Sequence, residues 1–123
     1  LGFRQQEKTH LMENAIYNEL RYRGYSVDIG NVEINGVDEK GTKVRRMLEV
    51  DFVCNRGYKR CYIQSALSLP DQEKTKQELA SLLRIDDSFM KYVITGDNIK
   101  KYQNDDGIVF MDIFDFLLDK ESI

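Results

Sequence analysis

Apolar residues recur at four-residue spacing in residues 9–23, where Met12, Ile16 and Leu20 form one stripe. That spacing predicts a helix packed by one face. Thr9 is placed to cap its start, and Gly24 stands where a left-handed C-cap is wanted. Residues 25–36 are rich in β-branched side chains and predict a strand. Asn35-Gly36 and Gly41 then mark a turn region enclosing Asp38, Glu39 and Lys40. Residues 43–54 predict a long strand, Asn55-Arg56-Gly57 a hairpin turn, and residues 59–67 the returning strand.

Pro70, the one proline, suits the first turn of a helix over residues 71–84. Leu79, Leu82 and Leu83 form its buried edge. The short apolar run 90–95 predicts a central strand, residues 97–103 a helical turn, and residues 107–111 a second buried strand. Residues 112–119 predict a closing helix with Asp112 at its start. The order is α-β-β-β-α-β-β-α. A meander followed by a helix and an apolar strand implies an α/β fold with a mixed central sheet flanked by helices.

Composition narrows this reading without naming an activity. The 123 residues are 41% hydrophobic and 32% charged, which suits one globular domain rather than a disordered chain. No apolar run approaches the roughly 18 residues that span a bilayer. Nothing at the start resembles a secretory signal, so Cys54 and Cys61 are expected to be reduced, buried thiols in a cytoplasmic protein. The formal charge of -3 is uneven: 11 Lys+Arg face 9 Asp+Glu over residues 1–60, against 7 and 12 over residues 61–123. Arg45, Arg46, Arg56, Lys59 and Arg60 are the cations through which DNA or RNA would be met, although the basic excess is small for such a role.

The chemistry-bearing residues sit in three segments. Glu13 lies beside the apolar stripe of the first helix, three, four and seven residues before Ile16, Tyr17 and Leu20. Asp51 stands mid-strand in Glu49-Val50-Asp51-Phe52-Val53, where alternation puts Glu49, Asp51 and Val53 on one face and Val50 and Phe52 on the other. An aspartate among large apolar residues is costly unless it is paired, hydrogen-bonded or metal-bound. Such a residue therefore marks a site, unless Arg45 or Arg60 neutralises it in a purely structural role. In the next strand Tyr62, Gln64 and Ala66 share one face, with Cys61, Ile63 and Ser65 on the other. If the hairpin pairs as drawn, Gln64 lies beside Asp51 and offers a carbonyl oxygen to a cation. With two cysteines and the single His10, the chain is short of a zinc set. It lacks a phosphate-binding G-x-x-x-x-G-K-[ST] loop and a nucleophile-elbow serine.

The succession of a helix with Glu13, a strand with Asp51 and a following hairpin strand resembles the PD-(D/E)xK, or restriction-endonuclease-like, fold. The resemblance implies that Glu13 and Asp51 are the helix and strand acids that bind Mg²⁺ or Mn²⁺ and activate water. Gln64-Ser65-Ala66 falls where (D/E)-x-K belongs, with Gln64 in place of the acid and Ala66 in place of the lysine. Alanine neither positions water nor stabilises charge at a phosphate. The implied catalytic set, Glu13, Asp51 and Gln64, is therefore vestigial, and Asp51 with Glu13 forms at most a weak metal pair.

A narrower resemblance rests on Glu13-Asn14-Ala15-Ile16-Tyr17-Asn18-Glu19-Leu20, Arg23-Gly24-Tyr25, Glu49-Val50-Asp51-Phe52-Val53, Tyr62-Ile63-Gln64-Ser65-Ala66-Leu67 and Phe114-Asp115-Phe116-Leu117-Leu118. Over about residues 3–119 these are similar to the C-terminal domain of bacterial AAA-type ATPases. That implies a single nuclease-like domain over residues 1–123, with the ATP-binding P-loop module upstream and no cofactor in this piece. The expected function is a non-catalytic nucleic-acid or protein interaction module of the parent ATPase, with no membrane role. The alternative is an active Mg²⁺- or Mn²⁺-dependent nuclease with a displaced lysine, for which Lys74 on the following helix is the nearest candidate.

Overall fold

The structure, a computed structural model, describes residues 2–123. Helix α1 (Gly2–Tyr22) is followed by β1 (Ser26–Val37), β2 (Lys43–Arg56), β3 (Lys59–Ala66), α2 (Gln72–Leu83), β4 (Met90–Thr95), β5 (Tyr102–Gln103), β6 (Ile108–Asp112) and α3 (Ile113–Leu118). The strands form one mixed sheet in the order β1-β2-β3-β4-β6-β5. β1, β2 and β3 are an antiparallel meander, β3, β4 and β6 run parallel, and β5 returns antiparallel along β6. The α2 crossover makes β3 and β4 parallel, since a short turn cannot reverse the chain twice. Helices cover both faces of these parallel strands, so Tyr92–Ile94 of β4 and Ile108–Met111 of β6 read as apolar runs rather than alternating ones.

Two apolar layers sandwich the sheet. On one face Met12, Ile16 and Leu20 of α1 and Phe116 of α3 pack on Phe52, Cys54, Cys61, Ile63, Ile94 and Met111. On the other, Leu79 and Leu82 of α2 pack on Val50, Tyr62, Ala66, Val93 and Phe110. The expected face division of β3 is present: Cys61 and Ile63 look toward α1, Tyr62 and Ala66 toward α2.

Several local expectations change. α1 begins at Gly2 and not at Thr9, because Arg4, Gln5, Gln6, Glu7 and Lys8 are all good helix formers and propagate a helix once it is nucleated. Thr9 lies inside the helix and donates its hydroxyl to the Gln5 carbonyl at 2.8 Å. Gly24 does end the helix with φ 91°, a backbone conformation that costs glycine little. Pro70 lies before α2 rather than in its first turn, and Asp71 caps the helix, accepting from the Lys74 N–H at 2.8 Å. Asp112 caps α3 by the same device through the Asp115 N–H. The β2–β3 turn is Gly57–Tyr58, one residue later than expected. Residues 97–103 hold no helix. Asp97 accepts the Leu69 N–H, and Tyr102 is drawn into β5 by stacking on Phe110, with centroids 4.8 Å apart.

The β1–β2 hairpin is longer than the strand beside it. β3 pairs with β2 only from Phe52 to Arg56, so the eight residues Lys43–Val50 pair with β1 alone. At the junction the register slips. Asp28 pairs with Val53 and Gly30 with Val50, leaving Asp51 and Phe52 together opposite Ile29. This is a β-bulge, and it overturns the expected alternation. Val50 and Val53 now both face α2, while Asp51 and Phe52 both turn toward α1. Gly30 permits it, since a Cβ there would lie 2.6 Å from Val53 Cγ2 and 3.2 Å from Val50 Cβ. Gly30→Ala is therefore expected to destabilise the fold by about 1–3 kcal/mol through overpacking, measured by equilibrium urea unfolding. Unchanged stability would mean the bulge relaxes freely.

Candidate functional site

The bulge lies where β2 and β3 part, and side chains there replace the missing ladder bonds. Phe52–Ile63 is the last backbone pair. Beyond it the Asp51 N–H donates to Gln64 Oε1 at 2.7 Å, and the Ser65 N–H donates to Asp51 Oδ2 at 2.8 Å. Gln64 Nε2 donates in turn to the Glu78 carbonyl at 3.1 Å, tying the fork to α2. Gln64 is thus beside Asp51 as the sequence suggests, but its carbonyl oxygen receives a main-chain N–H.

Asp51 opens into a cleft of about 440 Å³ lined by Glu13, Asn14 and Tyr17 of α1, Ile29 of β1, and Glu49 and Phe52 of β2. Burial raises the Asp51 carboxyl from its ordinary 3.8 to about 6, against the lowering effect of the Ser65 N–H; Glu13, Glu78 and Glu49 push it further up. No arginine offsets this. Arg45 pairs with Glu33 at 2.7 Å, and Arg60 donates to Asn55. The structural reading in which either arginine neutralises Asp51 does not describe this fold.

The fold brings Glu13, Asp51 and Gln64 to one neighbourhood and separates Ala66 from it. Ala66 is buried against Leu79 and Leu82 on the α2 side. The β3 residue on the Asp51 side is Ser65, whose buried hydroxyl has no hydrogen-bond partner. Ser65, Lys74 and Glu78 line a second cleft, of about 620 Å³, with Gln5 and Thr9 of α1. It lies beyond the carboxyl end of β3, the edge where open α/β sheets commonly hold ligands. Lys74 Nζ is 3.1 Å from Glu78 Oε1. Among the described residues, no group of three or more His, Cys, Asp or Glu side chains is arranged to hold a metal ion.

Glu78 is the site residue that sequence reasoning passed over. It belongs to an ordinary run of surface Glu and Lys residues on α2, and only the packing of that helix brings it beside Asp51. Gly30 had a visible signal, since an isolated glycine inside a strand pattern marks a bulge or a close backbone approach.

The five cations expected to meet nucleic acid do not form one patch. Arg45 and Arg46 lie on the projecting hairpin, while Arg56, Lys59 and Arg60 flank the β2–β3 turn. Ten residues of strand, about 33 Å, separate the two groups. Arg56 and Lys59 lie over the Tyr25 ring, at 4.5 and 5.7 Å from its centroid.

No family model matches this chain, and no solved structure matches it. An uncharacterized protein of Haemophilus influenzae is 34% identical over 109 residues, which cover 87% of this chain. The chain spans 22% of that relative's length. Among the described residues, no helix is long and apolar enough to cross a membrane.

Proposed function

We propose that this chain is a restriction-endonuclease-like domain that does not cut, serving as an interaction module of a larger bacterial AAA-type ATPase. One observation carries the reading. The carboxylate at the strand fork, Asp51, faces Ser65 where an active site of this kind needs an acid and a lysine. Gln64 is consumed in bridging Asp51 to Glu78, and Ala66 packs against Leu79 and Leu82 on the α2 side, where it offers no charge. Glu13 and Asp51 keep the positions of metal-binding acids without the groups that would activate water or stabilise a phosphorane-like charge. The place of this chain within a much longer relative supports a larger parent. The dispersal of the cations favours a protein contact over a phosphate track.

A second reading has its own support. Glu78 acts on Asp51 and pairs with Lys74 in the neighbouring cleft; together the two would supply the missing acid and lysine, making the domain an active nuclease with Mg²⁺ or Mn²⁺ held by Glu13 and Asp51.

One assay separates the two. Supercoiled plasmid, linear duplex and single-stranded DNA and RNA are incubated with the domain in Mg²⁺ or Mn²⁺, beside Asp51→Ala and Lys74→Ala. The expected result is no cleavage above a buffer control. Metal-dependent nicking lost in both variants would establish the nuclease instead. For nucleic-acid binding, affinity that falls steeply with salt would reveal phosphate contacts; absent or salt-insensitive binding would direct the search to a protein partner.

A further inference from the structure

Cys54 and Cys61 stand directly opposite each other in the β2–β3 ladder. Both are free thiols and both are fully buried. Arg56 and Lys59 close the two-residue turn as a hydrogen-bonded pair, so two steps further on Cys54–Cys61 is again of that kind. Such pairs hold their Cα atoms about 5.5 Å apart, inside the span of about 4.4–6.8 Å that a disulfide bridges. Directly opposed side chains leave the sheet on the same face, and here both enter the α1 layer beside Tyr25 and Tyr92.

We propose that Cys54 and Cys61 are a redox couple, converted by a hydroperoxide to an intrachain disulfide that a small thiol reverses. The surroundings suit the chemistry. The hydrogen bond from Cys54 lowers the Cys61 thiol against the raising effect of burial, and Lys59 and Arg56 at the mouth of the hairpin assist, while the same bond and burial raise Cys54. A lowered thiol next to cations is the more nucleophilic partner. Its thiolate attacks the peroxide, breaking the O–O bond and taking one oxygen as a sulfenic acid, with the other oxygen leaving as alcohol or water. The Cys54 sulfur then attacks the sulfenic sulfur, forming the S–S bond and releasing water. Two thiols and one hydroperoxide give one disulfide, one alcohol and one water, and two electrons pass from sulfur to peroxide.

Access comes through the hairpin end. Only two ladder pairs and the turn separate the thiols from solvent, and strand ends open locally far more often than whole domains unfold. The bond forms under strain, since the Cβ atoms of a hydrogen-bonded pair must draw in to about 3.8 Å. A strained disulfide is readily reduced, which makes the couple reversible.

The test is the intact mass of the reduced protein before and after hydrogen peroxide, and again after dithiothreitol. The expected result is the loss of two hydrogen masses without dimerisation, restored by the reductant. Peptide mapping should place the cross-link between residues 54 and 61. Cys54→Ser and Cys61→Ser should each abolish the loss. An unchanged mass, a gain of oxygen without cross-linking, or a covalent dimer would each overturn the proposal. The wild-type mapping decides the matter even if a serine variant does not fold.

Discussion

Arg23→Ala is expected to destabilise the domain by about 3–5 kcal/mol, the range for removing one partner of a buried, multiply bonded charge. The Arg23 side chain is only 4% exposed. Its Nε meets Glu19 Oε2 at 2.7 Å, Nη1 donates to Ser122 Oγ at 3.0 Å, and Nη2 donates to the Phe116 and Asp119 carbonyls. The guanidinium also lies over the Phe116 ring, 4.5 Å from its centroid. One side chain at the end of α1 therefore joins that helix to α3 and to the C-terminal residues. Its charge sits at the carbonyl end of α3, where a cation is favoured. Truncation would strip Glu19 of its partner and leave Asp119 and Phe116 carbonyls with fewer donors. Arg23→Lys should recover only part of the loss, because an ammonium cannot reproduce the planar fork. Urea midpoints measured by circular dichroism would check both variants. Wild-type stability in Arg23→Ala would mean that α3 docks through Phe116 alone.

Asp51→Asn is expected to stabilise the domain at pH 7–8 by about 1–2 kcal/mol and to leave it unchanged near pH 4. The carboxyl is raised from 3.8 to about 6 by burial, with Glu13, Glu78 and Glu49 adding to the shift. The folded form therefore keeps a proton that the unfolded chain releases. Between about pH 4 and 6 the native state binds more protons, so this group's contribution to stability falls as pH rises through that window. Above it the full penalty is present. Two pH units correspond to about 3 kcal/mol, reduced here because the group is partly open to solvent and screening. Asparagine carries no charge and retains an oxygen to accept the Ser65 N–H. Stability curves of wild type and Asp51→Asn should converge at low pH and separate as Asp51 ionises. A gap that does not change with pH would show that Asp51 ionises normally.

The fold class was legible because its signals are local. The four-residue stripe of Met12, Ile16 and Leu20 sets the buried face of α1. Gly24 and Asp112 punctuate the chain where expected. β4 falls at residues 90–95 as the apolar run foretells, and the mixed sheet with helices on both faces follows from the order of elements. Helix starts were less secure, since Thr9 resembles a cap yet the residues before it are equally content in a helix. The same local reading brought Asp51 to notice, because an acid in a strand is costly whatever surrounds it, while Glu13 stood out beside the apolar stripe and Gln64 through the expected hairpin pairing.

The chain's periodicity and punctuation thus determined which segments are helix or strand and which side chains are too polar to be buried without reason. Only the tertiary structure decided where those side chains point. A single slip between Gly30 and the Val50–Val53 segment turns Asp51 and Phe52 to the same side. The packing of α2 draws the Gln64 amide to Glu78 and seals Ala66 beneath leucines. Besides Glu19 on its own helix, Arg23 finds Phe116, Asp119 and Ser122 at the far end of the chain. Each depends on atoms from distant parts of the chain meeting at a few ångströms, and periodicity within one segment carries no record of such meetings.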